Sequence, residues 1–420
     1  MTELHLPHLS EIACYDDITC SSKAIKRGMH CPLFGCVLLS KYVQDLSILI
    51  VGTDECGFYS RDIIKVVSPD PLSCPIYTYT IEERDVIYGC GDQILSSLRE
   101  ITRRDHPAAI CVVSTCVPEL IGEDLAGVVY EANDTLELPV LYCAAHNFGE
   151  NSHVDGQSDL LACLSQLMEP CSPVPGRVNL LCSRDESEGQ AELVHWLADH
   201  HAEVGLQLPS RCSVEQIRRA ASASLNIVTD PIGLKLAKKM QAQFSIPYVL
   251  FGKYADPDRI LQSYCHLESC LHLPHDTALD QKARSLSALW NQIGPLVQGK
   301  TYIYSNSPLI LEDFILMLGK YGAVPLACYI ISKEDFEREL FPQLQASGLN
   351  PLVTMLADFS VSETLVRQQH PDFYLGRLSP SFVEETGICC LDFEDIPGGQ
   401  GFEALETVLT YLLTHLKEDL

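Results

Sequence analysis

The sequence predicts an α/β fold of three Rossmann-like domains, each a parallel sheet flanked by helices. Three observations carry that prediction. Short apolar runs of strand length alternate with amphipathic patterns of helix length along almost the whole chain. The runs are apolar at successive positions, as strands covered on both faces by crossover helices must be. The alternation also restarts twice, after Cys171 to Gly176 (CSPVPG) and at Lys300, which divides the chain into an N-terminal domain over 1–172, a middle domain over 177–297 and a C-terminal domain over 298–420.

In order, Leu46 to Gly52 (LSILIVG) reads as a buried strand. Asp92 to Arg103 reads as an amphipathic helix with Ile94, Leu95, Leu98 and Ile101 on one face. Ala108 to Ser114 is the next strand, Leu120 to Ala132 a helix, Pro139 to Ala144 a strand and Asp159 to Met168 a helix. The second series runs through the strand Val178 to Cys182, the helix Glu188 to His200, the segment Glu203 to Leu208, the helix Val214 to Ala223, the strand Leu225 to Val228, the helix Gly233 to Phe244 and the strand Tyr248 to Phe251. The third opens with KTYIYS at Lys300 and continues through the helix Pro308 to Tyr321 and the run Val324 to Ile331. It closes with Phe373 to Leu375, Gly387 to Leu391 and a last helix, Phe402 to Leu416. No Gly-x-Gly-x-x-Gly or Gly-x-x-x-x-Gly-Lys-Ser/Thr opens any of these helices, which argues against a bound dinucleotide and against ATP hydrolysis by this chain.

The 420 residues suffice for two or three domains, and 46% hydrophobic with 20% charged residues describes a globular chain. Its longest apolar runs, such as Leu46 to Val51, fall far short of the roughly 20 residues of a membrane helix, so no membrane partner is expected. With 29 Lys and Arg against 56 Asp and Glu, the net charge of −27 repels nucleic acid and anionic lipid. Nineteen cysteines are the outlier. Met1 to Ser10 has neither a basic n-region nor an apolar h-region, which predicts a reducing, cytoplasmic compartment in which clustered thiolates hold soft metals sooner than they cross-link.

Chemistry in parallel sheets gathers at the carboxyl ends of strands. Cys31 (GMHCPLFG), Cys56 (GTDECG) and Cys116 (STCVP) have flanks of the kind such loops use, small or rigid residues that let backbone approach a ligand closely. They are 25 and 60 residues apart and no Cys-x-x-Cys occurs, so local ferredoxin and zinc-ribbon patterns are excluded. By spacing alone the trio is either a metal site assembled from distant segments or three packed structural cysteines.

The residues around the trio carry a resemblance. CPLFGCVLLSKYVQDLSILIVGTDECGFYSR, YTIEERDVIYGCGDQILSSLREI and AAICVVSTCVPELIGEDLAGVV are similar, in order and residue type, to the N-terminal third of the nitrogenase component 1 family. That family includes nitrogenase subunits, dark-operative protochlorophyllide oxidoreductase, the nickel-sirohydrochlorin reductive cyclase, nitrogenase-like thioether reductases and cofactor-assembly scaffolds. Weaker similarity continues through LPVLYCAAHNFGENSHVDG, the stretch from ASASLNIV to FSIPYV, GKTYIYSNSP and HPDFYLG. The Cys31 segment is nearest in style to the beta-type, electron-relay subunit.

The resemblance implies that Cys31, Cys56 and Cys116 bind an iron–sulfur cluster, 4Fe-4S or P-cluster-like, at a subunit interface, with the partner subunit completing the ligand set. It also implies a homodimer, or a heterodimer or heterotetramer with another component 1-like subunit. Electrons come from a component 2-type ATP-dependent iron–sulfur reductase, with ATP only on that partner. Nitrogenase's own cofactor is held by a cysteine and a histidine whose positions fall here on about Asp230 and Leu391, neither of which can ligate it as they do.

Further candidates surround these. Cys90 replaces a glycine at a helix start, where the dipole is expected to lower a thiol pKa, and so offers an extra ligand or a redox thiol. Cys390, or its neighbour Cys389, lies beside the lost histidine position, and at most one of the two side chains faces a given cavity. Asn147 stands where the relay subunit of molybdenum nitrogenase has a serine near its cluster. His30, His146 and His153 flank the cluster segments as proton shuttles or in surface or ligand-supporting roles. Cys36 reads as packed. Cys265, Cys270, His266, His272 and His275 (YCHLESCLHLPH) look like a zinc site, with a spacing that fits no common zinc module.

Taken together, the sequence describes an oxidoreductase subunit of a nitrogenase-like system that relays electrons to a reducible substrate. A scaffold for metallocluster assembly without turnover is the alternative, and a cluster-free structural or regulatory descendant a third. The substrate is not encoded in any motif.

Overall fold

The computed structural model of the chain describes residues 6–13, 30–67, 74–148, 151–181, 191–210, 212–305, 313–329, 335–354, 359–393, 396 and 399–419. It divides into two compact units, Gly28–Glu186 with His201–Leu250, and Met1–Arg27 with Ser187–His200 and Phe251–Leu420. The division of the chain at 1–172, 177–297 and 298–420 stands as a proposal beside this partition. Strand pairing is parallel in every sheet, with helices in the crossovers, and the α/β class expected from the alternation is what the chain adopts. Among the described residues no helix is long and apolar enough to cross a membrane.

The first unit holds two four-stranded sheets. One has the order Ile76–Thr80, Leu46–Gly52, Ala109–Ser114, Val140–Ala144. Its two central strands are buried at every position, which is why they read as unbroken apolar runs. Ile76–Thr80 (IYTYT) is an edge strand, half-buried and not markedly apolar, and no run in the sequence gives it away. The helix Gly91–Asp105 turns Ile94, Leu95, Leu98 and Ile101 onto this sheet, as the periodicity predicts. The second sheet has the order Tyr248–Leu250, Leu225–Val228, Arg177–Leu181, Glu203–Leu208, and the buried amide of Asn179 donates to Asn226 Oδ1 at 2.9 Å across it.

Several helix boundaries differ from the sequence reading for local reasons. The expected helix Leu120 to Ala132 is two helices, Cys116–Ile121 and Leu125–Thr135, because Gly122 takes φ 74° and the Asp124 carboxylate caps the second at the Gly127 N–H. The helix expected from Asp159 begins at His153, where Ser152 and Asp155 form a capping box. The segment Val214 to Ala223 is an α-helix only to Arg218, then a 3-10 turn over Arg219–Ser222. Gly233 ends a 3-10 turn, and the helix proper is Leu234–Phe244. Residues 182–190, 306–312 and 330–334 lie outside the described residues, and with them the expected starts at Glu188 and Pro308 and the expected strand end at Ile331.

Two glycines set the position of the first cysteine. A Cβ on Gly35, in the helix Pro32–Ser40, would overlap the carbonyl of His153, and one on Gly156, in the helix His153–Leu164, would overlap the carbonyl of Pro32. The two helices therefore cross backbone on backbone.

The second unit is built on a five-stranded sheet, ordered Leu352–Thr354, Val324–Tyr329, Thr301–Tyr304, Phe373–Leu375, Cys389–Leu391. Beside it lie the long helices Pro257–Leu271, Thr277–Val297 and Phe402–Asp419. Trp290 is fully buried, stacks on Tyr321 at 5.5 Å and donates its Nε1–H to the Ala255 carbonyl at 2.8 Å.

Candidate metal centre

Three helix starts converge on one side of the first sheet. Cys31 is the N-cap of Pro32–Ser40, with proline at the first helical position. Cys56 lies in the first turn of Asp54–Val67, just beyond the strand Leu46–Gly52. Cys116 opens Cys116–Ile121, just beyond the adjacent parallel strand Ala109–Ser114. Thr115 holds that loop down, donating its hydroxyl to the Val51 carbonyl at 2.9 Å, and Gly52 is small because a Cβ there would overlap Thr115.

Cys56 and Cys116 lie close enough to act on Cys31. Burial raises the Cys31 thiol, the N–H groups of Phe34 and Leu33 at the helix start pull it down, and the charges of Cys56 and Cys116 raise it again. Each is half-buried, whereas Cys36, Cys74, Cys90, Cys111, Cys143, Cys163, Cys212, Cys328 and Cys389 are buried. Donors are already aimed at two of the sulfurs. The Thr53 hydroxyl lies 3.5 Å from Cys56 Sγ, and the backbone N–H of Asn147 donates to Cys116 Sγ at 3.3 Å.

The donor set suits an iron–sulfur cluster. Soft thiolates repel one another until a cationic group lies between them, and N–H and O–H donors to sulfur are what tunes such a group. Among the described residues, three ligand atoms all within 4.8 Å of one another, as a single ion requires, occur only elsewhere, so the trio is not gathered around one ion.

Exposed apolar side chains stand in the same segments: Phe58 is two residues after Cys56, Leu120 is on the helix that Cys116 opens, and Phe148 follows Asn147. On the Cys31 side, His30 packs on Phe34 at 4.6 Å and on His153 at 5.9 Å, and its Nδ1 is hydrogen-bonded to the Tyr59 hydroxyl. Tyr59 was not singled out from the sequence. Its signal was there, three residues after Cys56 and so on the same helix face. His146 stacks on Phe148 at 5.1 Å.

The other candidates have local surroundings of their own. Cys90 is fully buried in the core beneath the first sheet, and its thiol is pushed up to about 12 by burial and the Glu123 carboxylate. The expected lowering by the helix dipole is overturned, since desolvation and a neighbouring anion both outweigh it. Cys36 is packed, donating to the Gly156 carbonyl at 3.1 Å. Cys390 packs on the core of the second unit with its thiol toward the Gly376 carbonyl at 3.4 Å, while Cys389 is buried. Asp230 caps the turn Pro231–Gly233 through the Ile232 N–H, and Leu391 is fully buried in its strand. Of the histidine-rich segment, Cys265 and His275 come together with Glu268; Cys270 and His272 lie at the end of the helix Pro257–Leu271, Cys270 exposed and His272 as its left-handed cap. Hydrogen bonds to the Glu268 and Asp280 carboxylates, which accept from the ring, raise the His275 imidazole to about 9.

The family profile described as nitrogenase component 1 type oxidoreductase matches residues 31–396, beginning at Cys31 itself. The chain belongs to the nitrogenase component 1 type oxidoreductase family. A NifE iron-molybdenum cofactor biosynthesis protein of Methanosarcina barkeri is 26% identical over 390 residues, covering 86% of this chain and 82% of that protein. The nitrogenase molybdenum-iron protein alpha chain of Clostridium pasteurianum is 22% identical over 345 residues, covering 75% of this chain and 63% of that one. With the NifE protein of Rippkaea orientalis, 25% identical, the chain spans about half the relative's length, 51%. The solved structure of nitrogenase Cp1 at pH 6.5 superposes with a TM-score of 0.78 over 96% of both chains at 14% identity, which establishes the common fold. These component 1 relatives are of the NifE and alpha types, so the beta-type leaning of the Cys31 segment is not carried by them.

Proposed function

We propose that this component 1-type chain holds an iron–sulfur cluster with Cys31, Cys56 and Cys116 at an interface with a second component 1-type subunit, identical or diverged, and passes on electrons received from a component 2-type reductase. The observation that carries the reading is three half-exposed thiols, with the charges of Cys56 and Cys116 felt at Cys31 and exposed apolar side chains in the same segments. Half a ligand set facing outward needs a second set to close it, and exposed apolar side chains are what a partner subunit covers. When bound, the cluster supplies one-electron chemistry. The chain supplies the rest: the helix starts position the thiols, and Thr53 and Asn147 donate to sulfur.

A second reading, an assembly scaffold that carries a metallocluster without turnover, is favoured by the NifE relatives and by Asp230 and Leu391 at the positions of the nitrogenase cofactor ligands. Anaerobic purification with iron and sulfide quantitation and EPR, on the native chain and on Cys56→Ala, tests the common part. Several irons per dimer, mostly lost in the variant, are expected; an iron-free, well-folded native dimer overturns the cluster. Turnover that needs both MgATP and a component 2 protein then supports the relay, whereas cluster transfer to an apo-acceptor without turnover supports the scaffold.

A further inference from the structure

The second unit contains a ligand group that the cluster reading does not use. Among the described residues, it is the one place where three His, Cys, Asp or Glu ligand atoms lie within 4.8 Å of one another. Cys265 and Glu268 are three apart on the helix Pro257–Leu271, so they share a face. The chain then turns through His272 and brings His275 back against that face, just before the helix Thr277–Val297. His275 Nδ1 lies 3.9 Å from Cys265 Sγ and 2.8 Å from Glu268 Oε2.

We propose that Cys265 Sγ, Glu268 Oε2 and His275 Nδ1 form a binding site for one zinc-class divalent cation, which clips the helix Pro257–Leu271 to the loop leading into Thr277–Val297. A tetrahedral zinc places S and N ligands about 3.5 Å apart and N and O ligands about 3.3 Å apart. The two observed separations bracket those values, so small rotamer shifts close the site. An ion-pair clip would need only the imidazole and a carboxylate; it leaves the thiol on the same side of the ring unexplained. The far nitrogen of the ring is also engaged. His275 Nε2 bonds Asp280 Oδ2 at 2.9 Å, which fixes the ring and turns Nδ1 toward the other two ligands.

Glu268 is buried and otherwise committed through Oε1, which accepts the Asp276 N–H at 2.8 Å, so Oε2 is held in place for the ion. Cys265 is half-buried and His275 exposed, which leaves an entry path from solvent. Three protein ligands leave a fourth position for water. Binding releases the Cys265 thiol proton and the proton on Nδ1.

The test follows one thiol, so metal bound elsewhere on the chain does not confuse it. The full chain, stripped with chelator, is alkylated with iodoacetamide with and without Zn²⁺ in excess over all of its cysteines, and each cysteine is followed by peptide mass spectrometry. Cys265 should react at least tenfold more slowly with Zn²⁺ present, Cys270 should be unaffected, and protection of Cys265 should fall at least tenfold in Zn²⁺ affinity in His275→Gln and in Glu268→Gln. Asp280→Asn should show a smaller loss. Equal rates with and without Zn²⁺, or protection that survives His275→Gln, overturn the proposal. Circular dichroism confirms that the variants compared are folded. Neither outcome bears on iron at Cys56, since that site lies in the other unit.

Discussion

Two sets of cysteines in the same unit meet opposite fates. Cys31, Cys56 and Cys116 stand half-exposed at helix starts, while Cys36, Cys111, Cys143 and Cys163 are packed between the first sheet and the helices that cover it. Cys36 Sγ lies 3.9 Å from Cys143 Sγ, and hydrogen bonds among the thiols, with burial, hold Cys36, Cys143 and Cys163 well above the usual thiol range. A thiol that cannot ionise is a small apolar side chain with a weak donor. Site chemistry thus follows position at a loop with N–H donors, and cysteine content alone predicts nothing.

The most disruptive way to break the contrast is Gly156→Ala. Gly156 faces the Pro32 carbonyl and also accepts the Cys36 thiol, so both sets of cysteines feel the change. Overpacking of a backbone crossing should cost about 3 kcal/mol, read as a lower urea midpoint, with iron retention falling alongside. An unchanged midpoint would show that the crossing relaxes freely.

Alkaline pH sharpens the buried half. Burial raises Cys74 from 9.0 to about 12 in the folded chain. The folded state therefore keeps a proton that the unfolded state has lost. Stability from this thiol is complete below about pH 9 and drains away as pH climbs toward about 12, by about 1.4 kcal/mol per pH unit. Between pH 8 and pH 10.5, Cys74→Ala should lose about 2 kcal/mol less than the native chain in urea unfolding; parallel losses would mean that Cys74 is not held protonated.

The mildest test addresses the half-exposed set. Thr53→Val removes the hydroxyl near Cys56 Sγ, which also accepts the Cys56 N–H at 3.4 Å. It should cost about 1 kcal/mol as a lost helix cap. In cluster-loaded protein it should move the reduction potential to more negative values, since a donor to sulfur favours the reduced state.

Much of this was legible in the residues. The buried central strands announce themselves as apolar runs, and Cys31, Cys56 and Cys116 could be chosen because their flanks differ from those of other cysteines. What stayed hidden depends on tertiary surroundings. Ile76–Thr80 is an edge strand whose partners, not its own pattern, define it. The Cys90 shift needs Glu123, which is 33 residues away. Cys265 and His275 were visible as residue types, and Glu268 lies at helical spacing from Cys265, but the meeting of the three depends on the turn at His272 that folds His275 back.

The glycine crossing at Gly35 and Gly156 has a thermal meaning as well. A junction made of side chains samples several rotamer combinations and loosens by degrees as temperature rises. Two backbones in direct contact have no rotamers to sample. The Cys31 end of the site should therefore keep its geometry up to the point where the whole unit melts, and lose it there in a single step.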